Sequence, residues 1–132
     1  MNATDFVNSY FDAWNQKDSQ AIANHLAENG VYADIPIHQN MSRDELIAHL
    51  DELFEHEANV YELTGEVLAG EDTIAFQYKV YPKNTDKSKP APAIWHGAEF
   101  VTLRDGVAIE IADYYEQDGQ QAPPSPVASA TG

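Results

Sequence analysis

VTLRDGVAIEIADYYEQDG, residues 101–119, holds two alternating runs on either side of Asp105-Gly106. Asp-Gly between alternating hydrophobes signals a two-residue hairpin turn, because both turn residues need positive φ and these two accept it at low cost. After the turn, Val107, Ile109 and Ile111 occupy every second position, the spacing of one strand face. The next residue in that series is Asp113, a carboxylate where the pattern calls for a hydrophobe. A strand that aims an acid at its own interior implies a pocket on that side, and Asp113 is the first candidate for chemistry.

The turn predicts the pairing. Arg104 faces Val107, and an unbroken ladder then sets Thr102 opposite Ile109, Phe100 opposite Ile111, Ala98 opposite Asp113 and His96 opposite Tyr115. Small Ala98 leaves room above Asp113. His96 is its diagonal neighbour, roughly 7–8 Å away at the backbone and within reach of an aromatic side chain. Asp113, His96 and Tyr115 are therefore expected to converge in one cavity, with Phe100 in its wall. The opposite face would carry Trp95, Val101, Leu103, Ala112 and Tyr114, enough apolar surface to predict a homodimer through it.

Upstream, the period of the apolar residues is 3.6 rather than 2. Phe6, Val7, Tyr10, Phe11 and Trp14 form one stripe and predict a helix over 4–16, with Tyr10 and Trp14 in the pocket wall. Asp18 can cap a second helix over 18–27. Ser42 and Glu45 make a capping-box pattern at the start of a third, over 42–56. Between the second and third lies the short strand VYADI. Tyr32 is expected in the pocket wall, and Asp34 at its rim is a weaker catalytic candidate. From residue 60 the alternation takes over: 60–70 and 73–82 read as strands, with Ile74, Phe76, Tyr78 and Val80 on one face. The polar segment KNTDKSKPAP then reads as an exposed loop.

The chain has 132 residues, one domain's worth, and 43% of them are hydrophobic, enough for a core. Residues 1–119 read as the domain. Residues 120–132, rich in proline and small side chains, read as a flexible tail that adds little to stability. With no cysteine, neither disulfides nor thiol chemistry operates. A net charge of −15 repels phosphate backbones and argues against nucleic-acid binding. No apolar run suits a membrane span, and the N-terminus lacks a signal-peptide pattern, so a cytoplasmic location is expected. His38, His49 and His56 have no ligand-like spacing with carboxylates, so no metal is expected. No Gly-rich phosphate loop and no G-x-S-x-G context occur.

Helices first and a meander after them is the α+β arrangement, a strongly curved antiparallel sheet closed by three helices into a cone with a pocket inside. The runs FVNSYFDAWNQKDSQAIANHLAENGVYADIP, SRDELIAHLDELF and LRDGVAIEIADYYE resemble a SnoaL-like protein of the nuclear transport factor 2-like superfamily, over about residues 4 to 117. The resemblance implies this cone, also called cystatin-like, often dimeric through the outer sheet face. Cyclase-like members carry their base in a D-[YF]-[YF] segment of the last strand, which falls on Asp113 of Asp113-Tyr114-Tyr115. The isomerases carry theirs near the end of the first strand, where Asp34 lies, and hold an oxyanion with an acid on the strand that here carries His96. Epoxide hydrolases use an Asp-Arg-Asp group that Arg43 and Arg104, at a helix start and beside a turn, are poorly placed to supply. The resemblance implies a cofactor-free enzyme that moves a proton on a hydrophobic carbonyl compound, by isomerisation, aldol cyclisation or dehydration. The alternative is a noncatalytic small-ligand-binding or dimerisation module.

Overall fold

The computed structural model describes residues 2–83, 88 and 92–118. Helix α1 spans Ala3–Asn15, capped by Asn2, whose Oδ1 accepts from Asp5 N at 2.8 Å. Helix α2 is the short Ser19–Ala23, capped by Asp18 as its sequence implied. After strands β1 (Leu26–Asp34) and β2 (Gln39–Met41) comes α3, Arg43–His56. Its N-terminus is a complete capping box, with Glu45 N donating to Ser42 Oγ and Ser42 N to Glu45 Oε1. Strands β3 (Val60–Ala69), β4 (Thr73–Tyr81), β5 (Trp95–Arg104) and β6 (Val107–Gln117) follow.

The six strands form one curved, open sheet in the order β2-β1-β6-β5-β4-β3. β3 through β6 make the expected antiparallel meander. One pairing differs from an all-antiparallel sheet: β1 lies parallel to β6, with Asp34 beside Asp113. The last strand has a free flank once β5 occupies the other, and β1 fills it in the direction its incoming helices impose. The second helix is also shorter than predicted. At its end His25 N bonds Ile22 O and the His25 ring bonds Ala21 O, and Leu26 already pairs with Ala108 in the sheet. Strand β2 has only three residues, too few for an alternation signal.

The core lies between the inner sheet face and the helices. Val7 and Tyr10 of α1, Leu46 and Leu50 of α3, Ile74, Phe76, Tyr78 and Val80 of β4, and Val101 and Ile111 are all buried together. The four β4 residues share one face as their alternation requires.

The hairpin turn forms as predicted, with Asp105 at φ 53° and Gly106 at φ 79°. Its ladder does not continue unbroken. Leu103 pairs with Ala108, but the next residue of β5, Thr102, pairs with Glu110, leaving Ile109 as the extra residue of a β-bulge. Every pair beyond it is shifted by one. Val101 faces Ile111, Glu99 faces Asp113, Gly97 faces Tyr115 and Trp95 faces Gln117. Because side chains alternate with period 2, this exchanges the two faces of β5. Trp95, Val101 and Leu103 pack on the core, whereas His96 and Phe100 stand on the outer face with Tyr114. The tail, residues 120–132, and most of the loop between β4 and β5 lie outside the described residues.

Candidate active site in the cavity

A cavity of about 330 Å³ opens between the inner sheet face and the helices. Its floor carries a row of three acids across three strands: Glu99 on β5, Asp113 on β6 and Asp34 on β1. The three acids are buried, each less than a tenth exposed. Glu57 and His49 also line the cavity, but among the described residues no lysine or arginine does.

Tyrosines take the place of cations. Asp113 accepts from Tyr32 at Oδ2 (2.7 Å) and from Tyr78 at Oδ1 (2.6 Å). Glu99 Oε1 accepts from Tyr10 at 2.9 Å, and Asp34 Oδ1 from Tyr115 at 2.8 Å. The sheet register explains who reaches whom. Tyr32 and Tyr115 stand one row to either side of the acids, and Tyr78 reaches Asp113 across Gly97. That glycine is required: a Cβ there would lie 2.5 Å from Tyr114 O and 2.8 Å from Tyr78 Oη. Trp14 Nε1, also in the wall, is buried with no hydrogen bond among the described residues.

Two like charges directly across a ladder in a dry site cannot both persist. Burial is the main force on each. It raises the Glu99 carboxyl well above the ordinary range, and the charge of Asp113 raises it further. Asp113 is raised less, from 3.8 to about 6, because burial is opposed by the Tyr78 and Tyr32 hydroxyls, which favour its ionised form. Burial and mutual repulsion thus favour one proton on the pair over two charges, with Glu99 the tighter holder and Asp113 the readier to ionise. The protonated Glu99 receives the Tyr10 hydroxyl on Oε1 and can donate from its other oxygen. The four tyrosine hydroxyls are themselves pushed up, first by burial, and stay protonated donors.

The predicted residues divide cleanly. Asp113, Asp34, Tyr10, Trp14, Tyr32 and Tyr115 all line the cavity. Phe100 and His96 do not. Phe100 is 46% exposed on the outer face. His96, also outside, pairs with Asp118 and lies 3.6 Å from Glu116. The bulge at Ile109 is the cause in both cases. Glu99 was missed for the same reason, though a signal existed: Trp95, Val101 and Leu103 share its alternation phase and are the more hydrophobic set on β5.

The sequence pattern of the SnoaL-like domain matches residues 7–114. Among solved structures, a protein from Kribbella flavida DSM 17836 proposed to be a ketosteroid isomerase is 18% identical, with a TM-score of 0.70, covering 93% of this chain and 83% of its own. A SnoaL-like protein of unknown function from Burkholderia thailandensis E264 is 20% identical, with a TM-score of 0.69 and coverages of 86% and 94%. A protein from Sinorhizobium meliloti proposed to be a polyketide cyclase is 19% identical, with a TM-score of 0.64 and coverages of 86% and 100%. At these identities the likeness is one of fold. No curated protein matches the chain.

The raised carboxyls carry a stability signature. A group whose folded pKa is raised contributes stability that is complete below its unfolded pKa and is lost as pH rises toward the folded one. For Asp113 that window runs from about 4 to about 6; for Glu99 it continues upward. Each pH unit over which the folded chain keeps a proton that the unfolded chain has released costs ~1.4 kcal/mol. Glu99→Gln, a neutral mimic of the protonated acid, should therefore melt several degrees above wild type at pH 8 and close to it at pH 4. A variant that melts below wild type at pH 8 would mean that Glu99 is ionised in the fold.

Proposed function

The chain belongs to the SnoaL-like family, and from that premise we propose that it is a cofactor-free acid–base enzyme acting on a small hydrophobic carbonyl compound. The observation that carries this reading is the Glu99–Asp113 pair, two acids at one spot whose surroundings set one to accept a proton and the other to donate one. Asp113 takes a proton from the carbon next to the carbonyl. The oxygen, as it gains charge, accepts a hydrogen bond from protonated Glu99, whose own carbonyl oxygen is polarised by Tyr10. Return of the proton to another carbon completes an isomerisation. Attack of the carbanion on a second carbonyl forms an aldol ring, and loss of a β-hydroxyl gives a dehydration.

The family resemblance supports both roles. It assigns the cyclase-like base to the position of Asp113, and an oxyanion-holding acid to the strand whose inner face presents Glu99. Asp34, at the position of the isomerase base, lies beside Asp113 in the same row. It can shuttle a proton along that row or replace Asp113 as base.

We also propose a second copy of the chain as partner, through the outer sheet face. There Phe100 and Tyr114, both close to half exposed, meet edge to face at 5.7 Å, with Ala98 and Ala112 as their strand neighbours. The expected species in light scattering is a dimer at micromolar concentration, and Tyr114→Asp should shift it to monomer without loss of fold. A wild-type monomer under those conditions removes the proposal.

Activity is tested without knowing the natural substrate by following deuterium exchange next to the carbonyl, by NMR in D₂O, across a panel of β,γ-unsaturated ketones and polyketide-like esters. Wild type should exchange a responsive ketone with a rate that rises through about pH 6 as Asp113 ionises. Asp113→Asn should lower the rate ~10²–10⁴-fold, the usual worth of a general base, with the fold intact. Binding without any exchange in wild type would instead identify a noncatalytic module. An unchanged rate in Asp113→Asn would move the base to Asp34.

A further inference from the structure

A second cavity, of about 370 Å³, lies on the other side of α1, against the turn of the β5–β6 hairpin. Its lining includes Ser9, Asn24, His25 and the apolar Phe6, Leu26 and Val107. None of these belongs to the acid row described above.

Ser9 Oγ and His25 Nε2 are 2.8 Å apart, and His25 Nδ1 lies 2.8 Å from the carbonyl oxygen of Ala21. The roles follow from chemistry. A backbone carbonyl can only accept, so Nδ1 carries the hydrogen. In the neutral ring Nε2 is then the bare nitrogen, and the Ser9 hydroxyl donates to it. A serine whose proton points at an imidazole nitrogen, with the imidazole oriented by a third group, is the arrangement of an activated nucleophile. The ring is further held edge to face by Phe6 at 5.2 Å and Tyr10 at 5.3 Å. Asn24 adds an oriented donor. Its Oδ1 is fixed by Gln20 Nε2 at 2.9 Å and Arg43 Nη2 at 2.6 Å. Its Nδ2 makes no hydrogen bond among the described residues.

We propose that this second cavity is an acyl-transfer site for small apolar esters, with Ser9 as nucleophile, His25 as its base and Asn24 as donor to the oxyanion. Ser9 Oγ bonds to the ester carbonyl carbon while its proton passes to His25 Nε2. Asn24 Nδ2 donates to the oxygen that gains charge. Collapse breaks the bond to the alcohol oxygen, which leaves with the proton from His25. Water then attacks the acyl-serine with His25 again as base, releasing the acid and restoring Ser9. The pair is assembled from α1 and the turn that follows α2, sixteen residues apart, so no G-x-S-x-G stretch marks it in the sequence.

The test uses the full chain, a fluorophosphonate probe and p-nitrophenyl acetate. Peptide mass spectrometry should place the phosphonyl adduct on Ser9, and the ester should release a burst of p-nitrophenol. Ser9→Ala should lose the adduct, with labelling at least ~10²-fold slower. His25→Phe keeps an aromatic ring between Phe6 and Tyr10 but removes the base, and should fall by a similar factor. Melting curves check each fold. Should Ser9→Ala fail to fold, the wild-type adduct position and His25→Phe decide. Absence of a wild-type adduct after hours at millimolar probe overturns the proposal. So does an adduct elsewhere, labelling of Ser9→Ala at the wild-type rate, or full labelling of His25→Phe.

Discussion

Glu99 and Asp113 face each other across β5 and β6 in a buried row, and their mutual repulsion organises the rest of the cavity. Among the described residues neither has a cation to lean on, since no lysine or arginine there lines the space. The fold answers with hydroxyls: Tyr10 on one acid, Tyr32 and Tyr78 on the other. Hydroxyls stabilise a carboxylate less than a buried guanidinium would, so the pair favours one proton over two charges. In the proposed reaction that unequal sharing makes one of the two acids the base and the other the proton donor. It also means that the site opposes stability at neutral pH, a cost that the apolar core must offset.

The sheet topology decides which acids meet. The antiparallel hairpin joins Glu99 to Asp113, and the parallel pairing of β1 with β6 brings Asp34 to the other side of Asp113. Asp34 and Asp113, the two positions at which the resemblance leads one to expect a base, thus become neighbours in one row. The cavity joins an apolar wall, from Phe11, Leu46, Leu50 and Val80, to one polar stripe on its floor. A ligand with a hydrophobic body and one carbonyl fits that division.

Much of this was legible in the sequence. The helix caps at Asp18 and Ser42, the β4 face from Ile74 to Val80 and the Asp105-Gly106 turn all follow from local chemistry. The inward direction of Asp113 followed from its alternation with Ile111. Its partner did not. A bulge inserts one residue, Ile109, and no composition rule marks it, because isoleucine suits a regular strand equally well. Counting from the turn therefore put His96 and Phe100 in the cavity and left Glu99 outside. The hydrophobicity of Trp95, Val101 and Leu103 points the other way, and burial outranks turn-counted register when the two conflict. The parallel β1–β6 pairing joins segments some eighty residues apart and leaves no local trace.

The chemistry of the site turns on Glu99 holding its proton more tightly than Asp113. Carbon-13 NMR of the side-chain carboxyls, titrated from pH 4 to pH 9, reads each group directly. Asp113 should titrate near pH 6, and Glu99 should titrate well above the ordinary carboxyl range. Two carboxylates already ionised at pH 6, with no titration above the ordinary range, would contradict the account.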